Sequence, residues 1–146
     1  MTRIAVGADH AGYQLKELLA EHIRSQGHEV VDEGTYSEDR VDYPDFGAAV
    51  GRAVVGGAAD LGVAVCGTGI GIAIAANKVA GVRAATVHDA TTARLARQHN
   101  DANVIALGER LIPLAAALEI VAVWLRTEFE GGRHVRRIGM LDAFDS

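Results

Sequence analysis

The sequence predicts a three-layer α/β domain: a five-stranded parallel sheet with helices on both faces and a helical tail at the C-terminus. Two observations carry that expectation. Short strand-like apolar runs alternate along the chain with longer segments of helical period, the order expected of a parallel sheet built from right-handed crossovers. The third strand-like run, Leu61 to Cys66, is almost wholly apolar, as befits a central strand covered on both faces.

Taken in order, Ile4-Ala5-Val6 reads as the first strand, ending at Gly7-Ala8-Asp9-His10. Leu15, Leu18, Leu19, His22 and Ile23 then recur at helical spacing, with Gly27 placed to cap the helix end. His28 to Asp32 is the second strand. Pro44 and Asp45 suit the first turn of a second helix, whose apolar face is Phe46, Ala49, Val50, Ala53 and Val54 and which Gly56-Gly57 stops. After the third strand comes a glycine-rich turn and the apolar helix Ile70 to Ala76. Gly81 to Val87 forms the fourth strand, and Asp89-Ala90-Thr91-Thr92 opens a helix reaching about Gln98. Asn103 to Leu107 is the fifth strand. Pro113 to Arg126 is a long helix carrying Leu114, Leu118, Val121 and Leu125, and Gly131-Gly132 precedes a basic segment from Arg133 to Arg137 read as a last short helix. This is a Rossmann- or flavodoxin-like layout in one domain spanning 1–146.

Composition narrows the function classes. The 146 residues carry 14 Lys/Arg against 19 Asp/Glu, a net charge of −5, which argues against a nucleic-acid partner. No apolar run is long enough for a membrane span. The first residues enter strand-like sequence directly, and the lone cysteine, Cys66, has no internal partner for a disulfide; both imply a cytoplasmic, reducing compartment. With 26 Ala and 17 Gly the core is thin, because small side chains bury little apolar area, so subunit association is expected.

In open α/β sheets the ligand sits outside the carboxyl ends of the strands. That places Asp9 and His10, Cys66 to Gly71, His88 and Asp89, and Arg110 at the ligand edge. Cys66-Gly67-Thr68-Gly69-Ile70-Gly71 is the most informative stretch. Its alternate glycines let backbone N–H groups turn inward at a helix N-terminus, a nest suited to an anion or developing oxyanion. A plain strand-to-helix turn is the competing reading. The spacing fits neither a Walker A loop nor a dinucleotide fingerprint, and Ile72 stands where a Cys-x5-Arg phosphatase loop has arginine. Cys66, at the mouth of the nest, is either an inert buried thiol or, because nest and helix end favour a thiolate, a base or nucleophile. The histidines lack zinc-ligand spacing with that cysteine, so no metal site is expected. Arg133 and Arg137, one helical turn apart, repel one another unless an anion sits between them, and Arg110 reinforces an anion reading through its paired donors.

Gly7-Ala8-Asp9-His10-Ala11-Gly12, Asp42-Tyr43-Pro44-Asp45, Cys66 to Lys78, Arg97 to Asp101 and Glu130 to His134 together resemble the type B ribose-5-phosphate isomerases. The wider sugar-phosphate isomerase family also contains galactose-6-phosphate isomerase subunits. The resemblance spans nearly the whole chain. It implies a cofactor-free, metal-free aldose–ketose isomerase working through an enediol on a small sugar phosphate. By that analogy Cys66 is the base that moves a proton between C1 and C2. Amides of Gly67, Thr68, Gly69, Ile70 and Gly71 form the oxyanion hole, with the Thr68 hydroxyl close to the reacting atoms. His99 is the acid that opens the furanose ring, and Asp9, His10 and Asn100 contact the sugar. Arg110, Arg133 and Arg137 match the phosphate-binding positions. Some relatives replace the cysteine by a glutamate just after the third glycine; this chain has Ile72 there, which leaves Cys66 as base.

Topology adds an expectation of its own. His99 closes the fourth helix, so it belongs at the opposite sheet edge from Cys66, a strand length of roughly 16 Å away. A neighbouring subunit of a homodimer or tetramer is then expected to supply His99 and Asn100. Two alternatives stay open on the residues: a six-carbon 6-phosphate sugar (allose or galactose 6-phosphate) as substrate, or a non-catalytic nucleotide- or flavin-binding module.

Overall fold

The computed structural model describes residues 1–145. The chain runs β1 (Arg3–Ala8), α1 (Tyr13–Ser25), β2 (Glu29–Asp32), α2 (Tyr43–Val55), β3 (Leu61–Cys66), α3 (Ile70–Asn77), β4 (Ala84–Thr86), α4 (Ala90–Asn100), β5 (Val104–Gly108), α5 (Leu114–Arg126) and α6 (Arg133–Ala143). All strand pairs are parallel, in the order β2-β1-β3-β5-β4. Within the expected class this differs from the flavodoxin order 2-1-3-4-5. The wholly buried β5 takes the inner place, and the three-residue β4 the edge.

Alternation along the strands sorts the core into two layers. Ile4, Val6, Val63, Val65, Ile105 and Leu107 face one way, against Leu19 and Ile23 of α1, Ala93 and Ala96 of α4, and Ile120 and Trp124 of α5. Ala5, Ala64, Cys66, Val104 and Ala106 face the other, against α2 and α3. The second layer is built of small residues, so its helices lie close. A Cβ added at Gly47 of α2 would meet the Ile72 carbonyl oxygen at 2.5 Å, and one at Gly51 would meet Val82 at 2.9 Å. The buried face of α2 is accordingly Gly47, Val50, Gly51 and Ala53: Val50 and Ala53 belong to the face its helical spacing singled out, and the two glycines complete it, with Phe46 and Val54 only partly buried.

Other boundaries and faces shift for physical reasons. On α1, Leu18 is 45% exposed while Lys16 is fully buried. Lys16 Nζ donates to Asp32 Oδ1 at 2.8 Å and to the Thr35 carbonyl at 2.7 Å, and lies 3.0 Å from Glu17 Oε1, so ion pairing and hydrogen bonds offset its desolvation. The fourth strand is shorter than the expected Gly81–Val87 because Gly81 has φ +89° and the Arg83 N–H donates to the Asn103 side chain, not to a ladder. Its open edge is closed by Asn77, whose side chain donates to the Ala84 carbonyl at 3.0 Å and accepts the Ala84 N–H at 2.8 Å. The buried face of α5 centres on Ala117, Ile120, Val121 and Trp124, leaving Leu114 41% exposed. The expected short last helix is an eleven-residue one whose one buried residue is His134. Asp89 caps α4 by accepting the Thr92 N–H at 2.7 Å, and hydrogen bonds from Thr92 hold its carboxyl below the usual range.

Candidate active site

The connection from β1 through α1 to β2 runs to one side of the sheet and that from β2 through α2 to β3 to the other, so direction reverses between β1 and β3. At the carboxyl ends of these two strands lies a cleft of about 440 Å³. Asp9 and His10 line it from β1, Cys66, Gly67, Thr68, Ile70 and Gly71 from β3 and the start of α3, and Arg110 from the turn after β5.

Each wall has a local cause. The first-turn N–H groups of α3 have no helical acceptor and aim at the turn that precedes them. Gly69 there has φ +77°, and a Cβ on it would lie 2.8 Å from the Leu107 backbone, so only glycine brings this turn down onto β5. In that conformation the Gly69 N–H donates to Cys66 Sγ at 3.2 Å and the Ile70 N–H donates to Thr68 Oγ1 at 3.2 Å. Thr86 of β4 ties the turn from behind, its hydroxyl donating to the Gly69 carbonyl at 2.8 Å. Cys66 is 4% exposed, lining the cleft with an amide already on its sulfur.

Beyond β5 the chain stays paired to the same turn: the Glu109 N–H donates to the Cys66 carbonyl at 2.9 Å and the Arg110 N–H to the Gly67 carbonyl at 3.1 Å. Arg110 is thereby laid across Gly67, its guanidinium 3.0 Å from where a Cβ would stand. Glu109 accepts the Leu15 N–H at 2.6 Å, anchoring the first turn of α1. Asp9 is 6% exposed and accepts the Gly12 N–H at 3.0 Å. His10 has Nδ1 3.2 Å from both the amide nitrogen and the carbonyl oxygen of Val41, which holds its ring over the cleft wall.

His99 and Asn100 are not in this cleft. They end α4, just before Val104 opens β5 opposite Gly62, whereas Cys66 pairs with Gly108 at the far end. Four residues of strand separate the two levels by about 13 Å. Arg133 and Arg137 stand exposed on α6, beside His99: the His99 and His134 rings stack with centroids 4.5 Å apart. The predicted set therefore falls into two groups. One is Asp9, His10, Cys66 to Gly71 and Arg110; the other is His99, Asn100, Arg133 and Arg137.

Two residues of the site went unremarked at the sequence level. Tyr43 lines the cleft and packs on Gly71, where a Cβ would lie 2.6 Å from its ring. His134 is the second. Both lie inside motifs quoted above, but their contacts span long sequence separations that no periodicity reveals. Among the described residues, no group of three or more His, Cys, Asp or Glu side chains is placed to hold a metal ion, and no helix is long and apolar enough to cross a membrane.

Residues 4–141 match the family model described as ribose/galactose isomerase. The chain belongs to that family. It is 47% identical to ribose-5-phosphate isomerase B of Escherichia coli K12 over 145 residues, 99% of this chain and 97% of that one. The solved Clostridium thermocellum ribose-5-phosphate isomerase B superposes with a TM-score of 0.97 at 50% identity, covering 98% of this chain and 97% of that one. The Mycoplasma genitalium enzyme with bound ribulose 5-phosphate gives a TM-score of 0.94 at 43% identity, over 98% and 95%. Family membership makes the chain an aldose–ketose isomerase and disposes of the nucleotide- or flavin-binding alternative.

Proposed function

We propose that this chain interconverts ribose 5-phosphate and ribulose 5-phosphate through an enediolate, with Cys66 as the base. The observation that carries the reading is the Gly69 N–H···Sγ hydrogen bond of 3.2 Å, at the N-terminus of α3. That hydrogen bond fixes the sulfur at the mouth of the amide nest, within reach of a carbon whose oxygen the nest holds. In the open-chain aldose the thiolate takes the proton from C2. The C–H electron pair becomes the C1–C2 double bond, and the carbonyl pair moves onto oxygen. Fixed amides of the Gly67–Gly71 turn then hold that oxyanion without reorganising, each such donor being worth roughly 10²–10³ in rate. The O2 hydroxyl proton then passes to the O1 oxyanion, the O2 electron pair forms the C2 carbonyl, and the double-bond pair takes the sulfur's proton at C1, completing the ketose.

Arg110 grips the phosphate and converts its binding into alignment of C2 with the sulfur. Asp9 and His10 hold sugar hydroxyls. A second copy of the chain supplies His99 to open the furanose ring, together with Asn100, Arg133 and Arg137, so the working unit is a homodimer or tetramer with a shared site. Ile70, which lines the cleft, and Ile74, one turn further along α3, are 54% and 57% accessible and offer apolar surface to that copy. The single domain works in the reducing cytoplasm, on a sugar phosphate and without cofactor or metal. The family description leaves a six-carbon 6-phosphate sugar as the substrate to compare.

A coupled assay with ribose 5-phosphate, allose 6-phosphate and galactose 6-phosphate on wild type and Cys66→Ala tests this. Expected is preference for the pentose and a fall in turnover of about 10³-fold in the variant, with ligand binding retained. Variant turnover near wild type would remove Cys66 from its role.

A further inference from the structure

We propose that His134 is a positioning residue for His99: it forms a flat aromatic platform that fixes the plane of the His99 ring. The inference rests on the ring-opening role given to His99 above. The two imidazoles lie 4.5 Å apart between centroids and within 15° of parallel. The chain between them is built to hold that stack. Thr127 accepts Arg97 Nε at 3.4 Å, and the Glu130 N–H donates to the Gln98 carbonyl at 3.0 Å, which fastens the 127–130 segment along the end of α4. Gly131 and Gly132, with φ +72° and +57°, then reverse the chain so that α6 starts directly over His99.

The chemistry at His134 is not that of ordinary packing. It is 5% exposed, yet its Nε2 has no hydrogen-bond partner among the described residues, and the Glu130 carboxylate stands 3.9 Å off. A buried donor or acceptor left unpaired is destabilising, so a phenyl ring would pack here with less cost. An imidazole against the ring that must move a proton makes sense if it stays uncharged while its neighbour becomes imidazolium. The groups facing His134 favour that. Burial, Arg133, His99 and Arg137 all push its pKa down, and only Glu130 pushes it up. A neutral aromatic face also supports a cation stacked on it. His99 can thus accept and release a proton without turning out of line.

The test uses the intact protein with His134→Ala, His134→Phe and His99→Asn, assayed in both directions, together with the NMR shifts of the His99 ring. For His134→Ala the expected result is a fall in kcat of about tenfold from cyclic ribose 5-phosphate, since a general acid worth 10²–10⁴ is misaimed but still present. Its KM and its turnover of ribulose 5-phosphate, already open-chain, change little. His134→Phe restores both kcat and the upfield ring-current shift of His99, which His134→Ala loses. Unchanged kcat and an unchanged His99 shift in His134→Ala would overturn the platform. So would a raised KM in both directions in Ala and Phe variants alike, which would make Nε2 a substrate contact. If His99→Asn leaves turnover of the cyclic aldose intact, the ring-opening reading fails instead, while the His99 shift still reports whether His134 holds the ring.

Discussion

At the scale of single residues, the site depends on side chains and glycines that have no freedom to be anything else. The Cys66 sulfur and the Gly69 amide meet because a left-handed glycine lets the turn close on β5. That much was legible, since a strand followed by alternate glycines and an apolar helix names its own geometry. Lys16 was not. Its position beside Leu15 suggests a solvated lysine, but the fold seals it between the Tyr13 and Tyr36 rings, each about 5.5 Å or less from Nζ, with Asp32 and the Thr35 carbonyl as partners. Through them it pins the segment after β2 that brings Val41 to His10. Lys16→Met should cost about 3 kcal/mol by stranding Asp32 and Thr35, read as a lowered denaturant midpoint. Loosening of His10 should appear as a raised KM with a smaller change in kcat.

Elements were read well where periodicity is strong and poorly where an edge or a backbone contact decides. All five strands and six helices were located, yet β4 lost the ends of its expected span. An edge strand pairs on one side only, and here the Asn77 amide substitutes for the missing neighbour. Asn77→Ala is expected to destabilise the chain by about 1 kcal/mol, because both bonds are solvent-exposed. Faster hydrogen exchange at the Ala84 amide, with the β5 amides unchanged, would locate the effect; equal exchange in the two proteins would contradict it. Helical spacing finds Val50 and Ala53 on the buried face of α2 but passes over its two glycines, for a related reason. Gly47 and Gly51 let two helix backbones approach, and a hydropathy pattern weighs glycine as nothing.

For the whole molecule, the separation of Cys66 from His99 by the length of β5 is the fact with the widest consequence. If a second copy completes the site, two crippled chains can rescue one another. Mixing Cys66→Ala with His99→Asn chains and allowing subunit exchange places an intact Cys66 opposite an intact His99 in one of the two sites of each mixed dimer. With random pairing in a two-fold assembly, about a quarter of wild-type activity on ribose 5-phosphate is expected to return. No recovery, in a mixture shown by mass spectrometry to have exchanged, would place both residues in one subunit's site. The thin alanine-rich core fits the same picture, as Leu111, Val135, Met140, Leu141 and Phe144 are all left exposed.

What the amino-acid order determined alone was the alternation of elements, the glycine nest with its cysteine, and the motifs that mark the family, because each is written in residues near one another in sequence. The tertiary structure decided which strand lies inside, that Arg110 crosses Gly67, that Lys16 is buried, and that His134 backs His99. These are meetings between segments tens of residues apart. They follow from how strands pair and helices pack, and local residue preference carries no record of either.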